Sequence, residues 1–203
     1  MNISFYYGVT DKTGIIIDIA IIFNDIKSEK NNDQIMPIRR AETKQERTKL
    51  KLGLPGFTIS GTFNGARTDD NIISHSGLIQ IDIDDDLTAI KNKDKIFNDK
   101  FTYCGFISPS GTGLKLIVKI PPDIAKHKEY FNAVCNHYDS TYNKKTDRSI
   151  SNISRLCFIS SDPELYLNEN SEVFTEYKKP EGKIVIKSLM NAKAGLIDHL
   201  APV

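Results

Sequence analysis

The chain has no tryptophan and only three cysteines in 203 residues. Cys104, Cys135 and Cys157 are far apart and odd in number, and no CxxC pair occurs. That argues against a thiolate zinc site and a disulfide framework. A reducing cytoplasm is the expected setting. A long apolar run is also missing. The longest, "GIIIDIAIIF", is interrupted by Asp18 and is about half the length of a spanning helix, so no membrane partner is expected. "MNISFYYGVT" has no basic stretch leading into an apolar one, and no secretory signal is expected. An excess of one charge is lacking too: 27 Lys and Arg stand against 26 Asp and Glu, a net charge of +1. A polyanion would have to be met by a local patch, or by metal ions that offset the protein's own carboxylates. What remains, 39% hydrophobic and 26% charged residues, suits one globular domain able to bury a core without covalent staples.

Periodicity predicts the elements. Residues 1–10 read as a strand and "TGIIIDIAIIFNDIKSEK" as a helix, with Ile15, Ile16, Asp18, Ile19, Ile22, Phe23 and Ile26 on its stripe, although its β-branched run also suits a strand. "PIRRAETKQERTKLKL" reads as one helix of good formers that stops at "GLPGF". "FTISGTF" is a short strand or extended piece and "NGARTDDN" a loop. "SGLIQIDIDDD" is a strand of period two, followed by helical spacing in "LTAIKNKDKIFND". "FTYCGFISPS" and "LKLIVKIP" are strands joined by a tight turn at "GTG". "DIAKHKEYFNAVCNHYDSTYN" is the strongest helix, with Ile124, Phe131, Val134, Cys135 and Tyr138 on its apolar stripe, and "RLCFIS" is a strand. The order is β-α-α-β then β-α-β-β-α-β. This predicts an α+β fold whose middle unit has the order of a split βαβ sheet. The expected organisation is one domain over 1–176, with 177–203 a linker or the start of a further region.

Three segments carry chemistry. In "GLIQIDIDDD", Ile79, Ile81 and Ile83 share one face of a strand, and Gln80, Asp82 and Asp84 the other. Two carboxylates about 7 Å apart at their Cα atoms repel when both are ionised. A divalent cation with hard oxygen ligands resolves that repulsion, as in two-metal phosphoryl-transfer sites. The bland reading carries equal weight: a solvated acidic face, with Asp85 and Asp86 turning and capping the helix that opens at Leu87. In "SPSGTGLKLIVKI", Ser110, Gly111, Thr112 and Gly113 form a small-residue turn that lets an anion approach the backbone. Lys115 follows as a point charge for phosphate. An ordinary hairpin turn with a surface lysine explains that segment better when it is taken alone. It is no Walker A loop, since the GxxxxGK[ST] spacing is absent. In "TDRSISNISRLCFISSDPELYLN", Asp147 precedes a strand and Arg155 opens it. Here the plain reading is a capping aspartate and a surface ion pair.

With these segments in order, the chain resembles the archaeo-eukaryotic primase, or primase-polymerase, superfamily. More narrowly it is similar to the VirE N-terminal or BT4734-like domains of Bacteroidetes mobile elements and phages. The likeness runs through "LPGFTISGTFNG", "SHSGLIQIDIDDD", "SPSGTGLKLIVKI" and "DRSISNISRLCFISSDPELYLN", most of residues 50–168. The resemblance implies an RRM-like core (61–176) behind an N-terminal α/β module (1–60). It implies that Asp82, Asp84 and Asp147 hold two Mg²⁺ or Mn²⁺ ions as catalytic ligands. Ser110, Gly111, Gly113, Lys115 and Arg155 would bind the nucleotide, with Lys115 where the superfamily more often has histidine. The implied partners are nucleoside triphosphates, a single-stranded DNA template or primer-template, and a helicase-like region. The expected function is a metal-dependent nucleotidyltransferase of primase-polymerase type. The rivals are a primase-like module that binds nucleotide or nucleic acid without polymerising, and a metal-dependent nuclease. Among other groups, His75 lies shortly before the acidic strand, and His127 and His137 are off any metal-ligand spacing. Arg39, Arg40, Lys44, Arg47, Lys49 and Lys51, interleaved with Glu42 and Glu46, read as a solvated helix with i,i+4 pairs. With Lys119, that helix is the first place to look for template phosphates.

Overall fold

The computed structural model describes residues 1–177; the linker expected over 177–203 lies, except for Tyr177, outside them. The chain opens as β1 (Asn2–Tyr6), which pairs antiparallel with β2 (Ile15–Asp18). The helix expected from Thr13 onward therefore divides. The β-branched run Ile15–Ile17 suits a pleated surface. Asp18 then ends the strand by capping α1 (Ile19–Lys27), its carboxylate accepting the Ala20 N–H at 2.8 Å. Ile19, Ile22, Phe23 and Ile26 form the buried stripe of α1. The basic segment divides as well, into α2 (Asn32–Arg40) and α3 (Lys44–Lys51). Ala41 is extended between them, and the Thr43 hydroxyl caps α3 on the Glu46 N–H.

β3 (Gly56–Thr58) and β4 (Gly61–Phe63) replace the single strand expected over "FTISGTF" and join different sheets. After a 3-10 turn at Asp69–Asn71, β5 (Ile72–His75) pairs with β4. The sequence reading does not contain β5, because its partly exposed side chains carry no alternation. β6 (Leu78–Ile83) is the period-two strand. The helix expected after it is two short ones, α4 (Leu87–Lys91) and α5 (Lys93–Phe97), which meet at Asn92. β7 (Thr102–Ile107) and β8 (Leu114–Lys119) form the expected hairpin. α6 (His127–Tyr142) begins after Ile124, which is half-exposed and outside its apolar stripe. β9 (Leu156–Phe158) and β10 (Tyr166–Leu167) complete the set.

One four-stranded sheet has the order β2-β1-β3-β9, the other β10-β7-β8-β6, and β4-β5 is a separate hairpin. All pairings are antiparallel. The result is a mixed α+β fold of antiparallel sheets and six α-helices among the described residues. On one face of the second sheet, Ile79, Ile81, Ile83, Leu114, Leu116 and Val118 pack with Phe97 of α5 and with Phe131, Val134 and Tyr138 of α6. On the other face, Leu78, Cys104, Phe106 and Ile117 meet Ile3, Phe57 and Cys157 of the first sheet, together with α1 and α2. Full burial of each such side chain stabilises by about 1.5–3 kcal/mol. Gln80, Asp82 and Lys115 also belong to this second, interlayer face, and all three are buried. The acidic face of β6 is therefore an internal seam, not a solvated surface.

Candidate functional site

The antiparallel register of β6 and β8 sets Asp82 directly opposite Lys115. The Lys115 ammonium donates to Asp82 Oδ2 at 2.6 Å, and each side chain is only 10% exposed. Gln80 Nε2 donates to the other oxygen, Oδ1, at 2.7 Å. Burial alone would discharge Lys115. The adjacent Asp82 carboxylate overcomes this and holds its pKa above the ordinary lysine value. Lys115, expected as a free phosphate contact, is thus the buried counterion of Asp82. Cys157 of β9 lies against this pair, and burial pushes its thiol up to about 12, so it is an inert core group.

Asp84 follows β6 and is exposed. Although the residue is exposed, its carboxyl is partly desolvated by its neighbours, and this, then the charge of Asp82, raise its pKa above the ordinary value. The turn 110–113 closes on this end of β6. Gly113 has to be glycine for steric reasons: a Cβ there would stand 2.5 Å from the Ile83 carbonyl oxygen and 3.4 Å from Asp84 Oδ1. Gly111 has φ +75° and packs against Arg39 of α2, whose Nη2 donates to the Ser161 carbonyl while its buried Nε has no partner. Within the turn, the Thr112 hydroxyl donates to Asp85 Oδ1 at 2.9 Å and to the Ser110 oxygen at 3.1 Å, and Ser110 also bonds Ser108. Asp86 caps α4 on the Ala89 N–H, as expected.

After α6 the chain returns to the same place. The Asp147 N–H donates to the Asp82 carbonyl at 2.9 Å. The Asp147 side chain caps the 3-10 turn Arg148–Ile150, accepting from the Ser149 N–H and hydroxyl at 2.8 and 2.9 Å. Arg155 is turned to its own loop, donating to Asn152 Oδ1 and the Ser149 carbonyl. The fold therefore brings Asp82, Asp84, Asp147 and the Ser110–Gly113 turn together, and sets Arg155 behind Asp147 as a brace of its loop.

α3 supplies what the sequence reading treated as solvated. Lys44 pairs with Asp85 at 3.4 Å, and Lys51, half-buried, lies in the field of Lys115, Asp84, Asp85 and Asp82. Neither Glu42 nor Glu46 forms an ion pair with these cations. The signal was present in the sequence: Lys44, Arg47 and Lys51 sit at i, i+3 and i+7, one stripe of a helix.

Among the described residues, no three His, Cys, Asp or Glu side chains stand together as a metal-holding group. The donors have the right chemistry for a hard cation, and Asp84 is uncommitted. Mg²⁺ is commonly held by one or two carboxylates plus substrate phosphates, not by an all-protein cage. The residues fit an ion that is completed by phosphate oxygens. His75 is remote from the acidic end of β6: its Nε2 faces His127 Nδ1 at 3.1 Å, and its Nδ1 accepts the Gly77 N–H. A groove of about 1070 Å³ runs along α6 past Lys128, His137 and Tyr177 and contains none of the candidate residues. No helix among the described residues is long and apolar enough to cross a membrane.

No curated protein and no solved structure matches the chain. The family model described as BT4734-like, N-terminal domain, matches residues 48–167, which run from α3 to the end of β10 and include every residue of the acidic cluster and the turn. The chain belongs to the BT4734-like N-terminal domain family.

Proposed function

We propose that this domain is a metal-dependent nucleotidyltransferase of primase-polymerase type. It would extend a nucleic-acid strand from nucleoside triphosphates on a single-stranded DNA template or primer-template. The observation that carries the reading is the meeting of three separate segments: the Asp147 N–H on the Asp82 carbonyl at 2.9 Å, and Gly113 in contact with the Ile83–Asp84 backbone. An acidic strand end, a small-residue turn and a returning aspartate share one spot, as phosphoryl transfer requires. The RRM-like reading draws support from β8 lying antiparallel between β6 and β7. The fourth strand, β10, joins at β7 and not at β6.

Asp84, with Asp82 and Asp147 behind it, would hold Mg²⁺ or Mn²⁺. Such an ion activates an attacking hydroxyl and neutralises charge on the leaving pyrophosphate. The chain's own residues do the rest. Gly113 lets the turn approach Asp84, and the hydroxyls of Ser110 and Thr112, which bond each other in that turn, would lie beside the polyphosphate. Lys115 holds the Asp82 side chain in place.

Asp84→Asn is the test, because among the described residues Asp84 makes no side-chain hydrogen bond. Template-directed incorporation of labelled nucleotides with Mg²⁺ or Mn²⁺ should fall by roughly a hundredfold or more, with an unchanged thermal midpoint. Undiminished synthesis by Asp84→Asn would refute the assignment. A second reading, a module that binds nucleotide without polymerising, is favoured by one observation: both oxygens of Asp82 are occupied, by Lys115 and Gln80. Metal-dependent nucleotide binding by the wild type without any incorporation would select it.

A further inference from the structure

Most of the charges around the end of β6 are already paired. Asp82 is held by Lys115 and Gln80. Asp85 is held by Lys44 and Thr112. Asp86 is held by Lys144 and Thr88, and Asp147 by Ser149. Two charges have no partner among the described residues: the carboxylate of Asp84 and the ammonium of Lys51. Each bears on the other's ionisation, yet they form no ion pair.

Helix geometry says why Lys51 is there. Lys44, Arg47 and Lys51 form one stripe of α3. Its first residue is fixed to Asp85 at 3.4 Å, and Arg47 also acts on Asp85. Two turns farther along the same stripe, Lys51 is half removed from water and near enough to Asp84 and to the Asp82–Lys115 pair for their charges to act on it. A half-buried lysine near a second lysine and without a bonded carboxylate is unfavourable on its own. An anion beside it would remove the penalty.

We propose that Lys51, and not Lys115, is the side chain that binds the phosphates of the nucleotide. The ligand class is a metal-bound polyphosphate, whose cation suits Asp84 and whose anionic oxygens suit Lys51. The inference rests on the nucleotide-handling reading above and assigns the contact within it. Lys115 is excluded from that role by its bond to Asp82; moving it to a phosphate would leave a buried carboxylate unpaired.

Equilibrium binding of dATP with Mg²⁺ or Mn²⁺, measured by calorimetry, separates the two claims. Lys51→Met should weaken binding roughly tenfold or more, and Lys51→Arg should stay within about threefold of wild type, since a point charge to phosphate is what is needed. Among the described residues Lys51 donates no hydrogen bond, so the thermal midpoint of Lys51→Met should not fall. If Lys51→Met binds as wild type while Asp84→Asn does not, the assignment of Lys51 is wrong and the proposed function stands. If the wild type binds dATP with neither metal, both fail. If Lys51→Met and Lys51→Arg both lose binding and both melt early, Lys51 is a packing residue and the inference is overturned.

Discussion

Asp82 and Lys115 neutralise each other inside the protein, and removing either leaves the other charged between the sheets. Asp82→Ala should therefore destabilise the fold by about 3–5 kcal/mol, the usual cost of breaking a buried ion pair from one side. Asp82→Leu combined with Lys115→Met should recover most of that loss in urea unfolding. An activity lost in Asp82→Ala alone reports folding as much as chemistry, which is why Asp84 is the informative position. That Asp82 shares the strand face opposite Ile79, Ile81 and Ile83 was legible from the period of two; that this face is buried between the sheets was not. Nor was its partnership with Lys115, because that depends on β6 pairing with β8, the second strand along and not the next. His127 gives a separate prediction at this scale. It sits at the first position of buried α6 and accepts from His75; burial, then the neighbouring His75, push its pKa down to about 4, against the opposing charge of Asp69. The folded state thus resists a proton that the unfolded chain takes up near pH 6.5. Stability is complete above that value and falls as the pH drops toward 4, by on the order of 2–3 kcal/mol. Thermal midpoints measured from pH 7 to pH 4 should show this slope, and His127→Asn should flatten it.

Among elements, the turn between β7 and β8 is the most demanding. A methyl at Gly113 would press on backbone, the Ile83 carbonyl at 2.5 Å, and not on a side chain that can swing away. Gly113→Ala should cost about 1–3 kcal/mol and shift the turn off Asp84, reducing dATP binding. Gly8→Ala, with nothing within 4 Å of the new Cβ, should do neither in the same melts and titrations. Elements with a single unambiguous period were readable in advance: β6, β8 and the body of α6. The β2–α1 segment was not, because a run of isoleucines satisfies both periods, and the single capping contact of Asp18 decides where strand becomes helix. The α2–α3 break turns similarly on Thr43. Its consequence for the site, a stripe of cations facing Asp84 and Asp85, needed the direction of α3, which no local pattern contains.

For the whole molecule, β9 matters most. It comes from residues 156–158 yet pairs with β3, Gly56 opposite Phe158, so the first sheet is built from both ends of the described chain. The boundary expected near residue 60 would cut between β3 and β4 and separate β9 from the one strand it pairs with among the described residues. Residues 61–177 expressed alone should be insoluble or unfolded by circular dichroism, whereas residues 1–177 should fold. The interleaving also sets a schedule during synthesis. The edge of β3 emerges from the ribosome about a hundred residues before the strand that covers it, and at typical elongation rates that is roughly 5–20 seconds. During that interval β1, β2 and β3 present an open row of backbone donors and acceptors of the kind that recruits other chains. Nascent chains stalled before Leu156 should therefore aggregate or hold a chaperone, and release should coincide with the emergence of β9.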